Sequence, residues 1–345
     1  MKRFLIVLLS VVFLFGSLAM IGCNEQKNDQ KLKFYVPDGA PALAVAKYIN
    51  DGQTFGIDRG IDYTVVSSDD IGAIMMKGEG DFIVMPINAA SKLYKANKND
   101  PYVMTAVVTH GNLYIMSSDG SSSLDQLKGK VVGVIGQGLV PDLTLRSVLS
   151  DSGLLSDVVV GDTASVGKIT LKYFAGKTAA QDMIALLKQG KLNVGLLPEP
   201  AATNLTKKAS EKTWTRIDLQ KCYDSTEESY PQACLMVKKS VYNKYKNKIE
   251  AMAQTFDDNV VWIKQNTAKA VDAVNSNLKE GLTPSLVSAS ITAEVVENCK
   301  IYYQTGQSAK LAVEKYINKI IAINAQSANA VKDDFFCIDD KTKKG

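Results

Sequence analysis

Histidine is almost absent from this chain: His110 is the single one in 345 residues. That excludes a metal centre built on two histidines, and no HExxH sequence is present. A Ser-His-Asp triad would have to use His110, and GxSxG is missing too. No CxxC pair or Cys/His cluster points to zinc. No basic stripe interrupts the interspersed lysines and acids, so nothing points to nucleic acid. GQG at 136–138 is no dinucleotide fingerprint, because Pro141 stands where GxGxxG needs its last glycine. AGKT at 175–178 is no P-loop, because Leu171 stands at the first glycine position. Neither a metal nor an organic cofactor is expected. After the first two dozen residues no hydrophobic run is long enough to span a bilayer.

What is present begins at the N-terminus. Lys2 and Arg3 precede FLIVLLSVVFLF, residues 4–15, in the charged-then-apolar order of a secretory signal. Small residues follow, then MIGC, then the polar string NEQKNDQK. The segment reads as a signal peptide over residues 1–22, cut before Cys23, with residues 23–31 as a flexible tether. MIGC resembles a lipobox, with Met20 where Leu is more usual. Cys23 would then carry lipid such as palmitate, each buried CH₂ contributing about 0.8 kcal/mol to membrane attachment. A plain transmembrane anchor is the alternative. The expected location is the outer face of the cell membrane.

The remaining 320 or so residues, about +2 in net charge, exceed one ordinary core and suit two lobes. Hydrophobic content of 46% and charged content of 22% are those of a globular protein. Export permits disulfides among Cys222, Cys234, Cys299 and Cys337. The short Cys222–Cys234 loop favours that bridge, with Cys299–Cys337 second; four thiols in an anaerobic cell are the alternative.

Short strands alternate with helices, which predicts an α/β fold with largely parallel sheets. Strands are expected at 33–36, 63–66, 81–85, 103–108 and 113–116, with helices at 41–50, 69–76 and from Pro86 on. A second unit has strands at 131–135, 169–173 and 192–196, helices at 139–150 and 179–188, and one after PEPAAT. ACLMV at 233–237 reads as a strand returning to the first unit. Val241, Tyr245, Ile249, Met252, Phe256, Val260 and Ile263 trace one face of a long helix, with Ser240 as its expected N-cap. Residues 311–323 form another amphipathic helix. The expected arrangement is two lobes, 32–114 plus 234–345 and 115–233, joined by two hinge crossings with a cleft between them.

Four loops each follow a strand and open a helix: PDGAPA at 37–42, PINAA at 86–90, GQGLV at 136–140 and LPEPAAT at 197–203. At the carboxyl ends of parallel strands they are placed to offer backbone N–H groups to an anion or a carbonyl. His110, in VVTHGNLY, is either a hydrogen-bonded hinge residue or a ligand contact on the cleft floor. Glu199 fixes a ligand cation or caps a turn. Tyr35, Tyr230 and Tyr302 or Tyr303 are candidates to stack on a flat ligand.

The stretches KLKFYVPDGAPALAVAKYI, GDFIVMPINAASKLY, SLDQLKGKVVGVIGQGLVPDLTLRSVLSDSGL and ALLKQGKLNVGLLPEPAAT carry a resemblance. They are similar to substrate-binding lipoproteins of ABC importers, in the SsuA/THI5-like (NMT1-like) branch whose members take nitrate, sulfonate, taurine or thiamine precursors. Asn193 departs from the Asp usual there. The resemblance implies a type-II periplasmic-binding fold with ligand contacts at Asp38, Gly39, Ala40 and Pro41, at Asn88, and at Thr109, His110, Gly111 and Asn112. It further implies contacts at Gly136, Gln137 and Gly138, and at Glu199. It implies no enzyme activity, a monomer, and as partners a small-molecule ligand, a permease and, through it, an ATPase. The rival readings are an enzyme on the same fold, such as a lyase or pyrimidine-forming enzyme, and a surface sensor lipoprotein without transport.

Overall fold

The computed structural model describes residues 30–176, 178–223 and 229–337. Cys23, the hydrophobic run and the tether up to residue 29 lie outside them. The first elements are β1 (Leu32–Pro37), α1 (Ala40–Ala44), α2 (Ala46–Asp51), β2 (Ile61–Val66), α3 (Ile71–Met76), β3 (Phe82–Pro86), α4 (Ile87–Leu93) and β4 (Tyr102–His110). Then come β5 (Leu113–Ser117), β6 (Lys130–Ile135), α5 (Val140–Asp151), β7 (Val158–Val160), β8 (Ile169–Phe174), α6 (Ala179–Gln189), β9 (Val194–Pro198), α7 (Ala201–Lys208), β10 (Thr215–Asp218) and α8 (Leu219–Tyr223). The chain ends with β11 (Pro231–Lys238), α9 (Lys239–Gln265), α10 (Thr267–Ser276), α11 (Ala293–Asn298), β12 (Ile301–Thr305) and α12 (Gly306–Ile323).

These strands build two six-stranded sheets, ordered β12-β4-β11-β3-β1-β2 and β10-β5-β9-β6-β8-β7. Each is mixed. β2, β1 and β3 run parallel, as do β7, β8, β6 and β9. The remaining strands, β4, β11 and β12 in the first sheet and β5 and β10 in the second, pair antiparallel with their neighbours. The chain leaves the first sheet at His110, starts the second at Leu113, and returns between Asp218 and Pro231. All nine residues of β4 are buried, because neighbouring strands cover both edges and helices cover both faces.

The expected helix at 41–50 is two helices broken at Val45. The break leaves backbone groups without helical partners, and Asn259 of α9 supplies them. Its fully buried amide donates to the Ala44 carbonyl at 2.5 Å and accepts from the Lys47 N–H at 3.0 Å. α9 buries Val241, Tyr245, Ile249, Met252, Phe256 and Ile263, as the periodicity predicts, but it is not one straight helix: it kinks at Tyr245, whose φ of −120° and ψ of 25° are not helical. Ser240 is not its N-cap: the helix starts at Lys239, and the Ser240 N–H and hydroxyl both bond to the Asp100 carboxylate, at 3.0 and 2.6 Å.

No disulfide joins Cys222, Cys234, Cys299 or Cys337, which corrects that expectation. Cys234 pairs with Val107 in mid-sheet and points its thiol at the Met85 carbonyl. Cys222 lies beside Gln220, which bonds to Leu113 beyond the crossing. Cys299 sits near the Thr109 end of β4, while Cys337 bonds by its backbone to Met104. Five strand residues put about 16 Å between those ends, against a reach of about 7 Å for a disulfide.

One apolar cluster runs through both sheets. It takes Met85 and Met104 from the first, Ile115, Val132 and Leu196 from the second, and Tyr230 and Tyr316 between. α12 anchors the junction. Tyr316 stacks on Tyr230 at 5.4 Å and shares a hydrogen bond of 3.3 Å with Thr144 of α5, and Lys319 pairs with Asp151 at 2.6 Å.

Candidate functional site

The first passage between the sheets is Thr109–His110–Gly111–Asn112. His110 closes β4, 1% exposed. Its ring stacks on Tyr302 with centroids 3.4 Å apart, and its Nε2 shares a 3.0 Å hydrogen bond with Gln304. Burial pushes its pKa down to about 4, against the opposing effect of Gln304, so the imidazole is neutral at pH 7. Gly111 donates its N–H to the Tyr230 carbonyl, and its own carbonyl accepts from Ser229. The glycine is required: a Cβ would stand 2.3 Å from the Tyr230 ring. Beside His110 a cavity of about 440 Å³ opens between β12, α12 and the start of β11, lined by Ser229, Tyr302, Gln304 and Ser308 among others.

Asn112 joins this passage to Glu199. Its side-chain amide donates to the Glu199 backbone carbonyl at 3.3 Å, and its backbone carbonyl accepts the Glu199 N–H at 3.0 Å. Glu199 follows β9, where Pro198 pairs with Leu113, so its position is set by sheet register. The carboxylate is fully buried. It accepts Thr203 N–H at 3.1 Å, the Thr203 hydroxyl at 2.8 Å and Arg216 Nη2 at 2.5 Å. The Arg216 guanidinium sits over the Tyr114 ring, its Cζ 3.4 Å from the ring centroid. Burial pushes the Tyr114 phenol up to about 12, and its hydroxyl donates to the Asn298 carbonyl at 3.4 Å. Residues of β5, β9, β10 and α11 thus meet in one seam where the two sheets are joined.

The other expected contacts lie apart. Asp38 accepts the N–H of Gly39 and of Ser285, both at 2.8 Å, so its carboxylate is engaged within the fold. Ala40 is buried and Pro41 half-buried in the first turn of α1. Asn88 donates to the Ser327 carbonyl at 3.2 Å, which ties the start of α4 to the C-terminal segment. Gly136 and Gly138 both take positive φ, 70° and 75°, which permits the turn after β6, and Gln137 is exposed. The Gly138 N–H bonds to the Asp142 carboxylate at 2.8 Å. Asp142 also accepts Tyr173 and Arg146, at 2.6 and 2.8 Å, so this loop is held by its own helix. Of the tyrosines, Tyr230 is fully buried and belongs to the core, whereas Tyr302 lines the cavity.

The sequence reading missed Arg216, Tyr114 and Gln304. Arg216 sits in an unremarkable WTRID, and only the pairing of β10 with β5 brings it over Tyr114. Among the described residues no cluster of His, Cys, Asp and Glu is placed to hold a metal ion, and no helix is long and apolar enough to cross a membrane.

No protein-family model matches the chain, and no curated protein sequence matches it. Solved structures do. An ABC transporter protein from Parabacteroides distasonis is 21% identical, with a TM-score of 0.69 over 90% of this chain and 99% of that one. The periplasmic aliphatic sulphonate binding protein SsuA from Escherichia coli is 12% identical, with a TM-score of 0.62 over 89% and 90%. The ligand-binding component of an ABC-type import system from Staphylococcus aureus, solved with zinc bound, is 12% identical, with a TM-score of 0.56 over 91% and 98%. The chain therefore has the fold of periplasmic binding proteins of ABC transporters.

Proposed function

We propose that this protein is the extracytoplasmic solute-binding component of an ABC importer. It captures a small polar or anionic molecule between lobes 32–114 plus 234–345 and 115–233, and delivers it to a permease driven by a separate ATPase. The observation that carries this reading is the fold match at a TM-score of 0.69, which spans almost the whole of both chains. The two passages of chain between the sheets and the polar seam beside them at Asn112, Glu199 and Arg216 support it, because a solute reaching from that seam to the first sheet would hold the two sheets together. Its differential affinity for the closed state would then drive closure. In this reading the protein is not an enzyme, acts as a monomer, and is anchored by lipid on Cys23.

The test is a thermal-shift survey of the full chain in detergent against small solutes, followed by calorimetry and small-angle scattering. At a hundredfold excess over Kd, binding to the native state adds about 2.7 kcal/mol of stability. A saturable shift with a smaller radius of gyration is expected; no binding by any solute, or turnover of one, removes the reading. Labelled palmitate should enter the wild-type chain and not Cys23→Ser.

A further inference from the structure

We infer that the cavity beside His110 is a second ligand site, separate from the seam at Asn112, Glu199 and Arg216, and that it takes a small uncharged molecule with several hydroxyl groups, of monosaccharide size. This does not depend on the import reading above. The place of the cavity sets it apart. It lies at the β12 end of the first sheet, between that strand, α12 and the start of β11. The helix-opening loops at 37–42, 86–90, 136–140 and 197–203 contribute none of its lining among the described residues, and neither do Asn112, Glu199 and Arg216. Both passages between the sheets do: His110 comes from the first and Ser229 from the second. Its volume of about 440 Å³ falls in the range of about 300–1,000 Å³ usual for small-molecule pockets.

The walls select the chemistry. Among the described residues no charged side chain lines the cavity, and His110 is neutral at pH 7. An ion placed there would lose water and gain no opposite charge, which is costly. What the walls offer is hydrogen bonding. β12 turns Tyr302 and Gln304 to this side and Tyr303 to the other, where it packs on Phe256. The register against β4 shifts between Ile301 and Gln304, and such bulges re-aim side chains. Gln304 uses one amide atom on His110 Nε2, and its other amide atom has no partner among the described residues. Ser229 and Ser308 donate their hydroxyls to the carbonyls of Gly111 and Thr305 and keep lone pairs that can accept. A hydroxyl both donates and accepts, so it suits the free Gln304 atom whether that is oxygen or nitrogen, and it can donate to either serine. Several hydroxyls on one small ring meet these groups together. Half-buried Tyr302, with Leu311 at 78% exposure, supplies apolar surface for the C–H faces of such a ring. His110 acts as a positioning residue, since it stacks on Tyr302 and bonds to Gln304.

myo-Inositol, glucose and glucuronate are the test solutes, titrated by calorimetry into the full chain in a detergent without sugar groups. At least one of the first two should bind, and glucuronate, the charged analogue of glucose, should bind about tenfold more weakly or worse. Ala312→Trp fills the cavity from a half-buried position on α12 and should abolish binding, with the melting temperature without solute within a few degrees of the wild type. Ser308→Trp fills it from an exposed position and serves should Ala312→Trp fail to fold. Gln304→Leu keeps the size and removes the amide, and should weaken binding by about five- to tenfold, the value of one hydrogen bond. Arg216→Lys, in the seam, should leave the affinity unchanged. Binding that survives Ala312→Trp or Ser308→Trp and is lost in Arg216→Lys puts the solute in the seam; that overturns the second site and leaves solute binding standing. Glucuronate bound as tightly as glucose overturns the assignment of an uncharged ligand. Binding of neither inositol nor glucose overturns the inference, while the import reading keeps its own survey of solutes.

Discussion

Gly111 and His110 are neighbours whose constraints differ in kind. Gly111 is fixed by contact: the space a Cβ would need is filled by the Tyr230 ring, itself fully buried. Gly111→Ala should destabilise the protein by about 3 kcal/mol, the upper end for overpacking a core, as measured by urea unfolding. His110 is fixed by solvation. Its pKa falls from 6.5 unfolded to about 4 folded. Between those values the unfolded chain binds the proton and the native one does not. Stability is therefore flat above pH 6.5, falls as pH drops through the window, and loses about 3 kcal/mol by pH 4. As the single histidine, it can be tested cleanly. Urea titrations at pH 7 and pH 5 should differ for the wild type and converge for His110→Gln. The sequence reading found His110 and Glu199 because rare or flanked residues stand out. It did not find their partners, because Gln304 and Arg216 reach them only through strand pairing across about 190 and 17 positions.

Among the elements, the parallel strands other than β7 and their helices were legible, since each combines a short apolar run with a turn and a helix start. The edge strands β7, β10 and β12 were not. β7 is three residues long and only half-buried, and β12 reads IYYQT with no clean alternation. The short helices α8, α10 and α11 escaped for the same reason: each is held by packing more than by its own periodicity. α12 was found without its first five residues, because its start is set by a cap and not by apolar spacing. The Thr305 side chain accepts the Ser308 N–H at 3.2 Å. Thr305→Ala should lower stability by about 1 kcal/mol, and Thr305→Ser should restore most of it in thermal melts.

For the whole molecule, two sheets and two passages were foreseen, but the bond between the sheets was not. The apolar cluster through Tyr230, Tyr316 and Leu143 belongs to both, and α12 from the end of the chain clamps α5. The two sheets should therefore unfold together. Trp214 packs with the second sheet and Trp262 with the first, so each reports on its own side. The variants Trp214→Phe and Trp262→Phe should show the same fluorescence midpoint in urea, coincident with circular dichroism; separate midpoints would show two independent transitions. The placement of β4 has one more consequence, for the order of assembly. Its two partners, β11 and β12, are among the last strands to be made, whereas every strand of the second sheet finds its neighbours between residues 113 and 218. Distant partners close slowly. In pulsed hydrogen exchange during refolding, the amides of β6, β8 and β9 should be shielded before those of β4. The guest sequence, inserted in the middle of its host, is complete while the host still waits for its own tail.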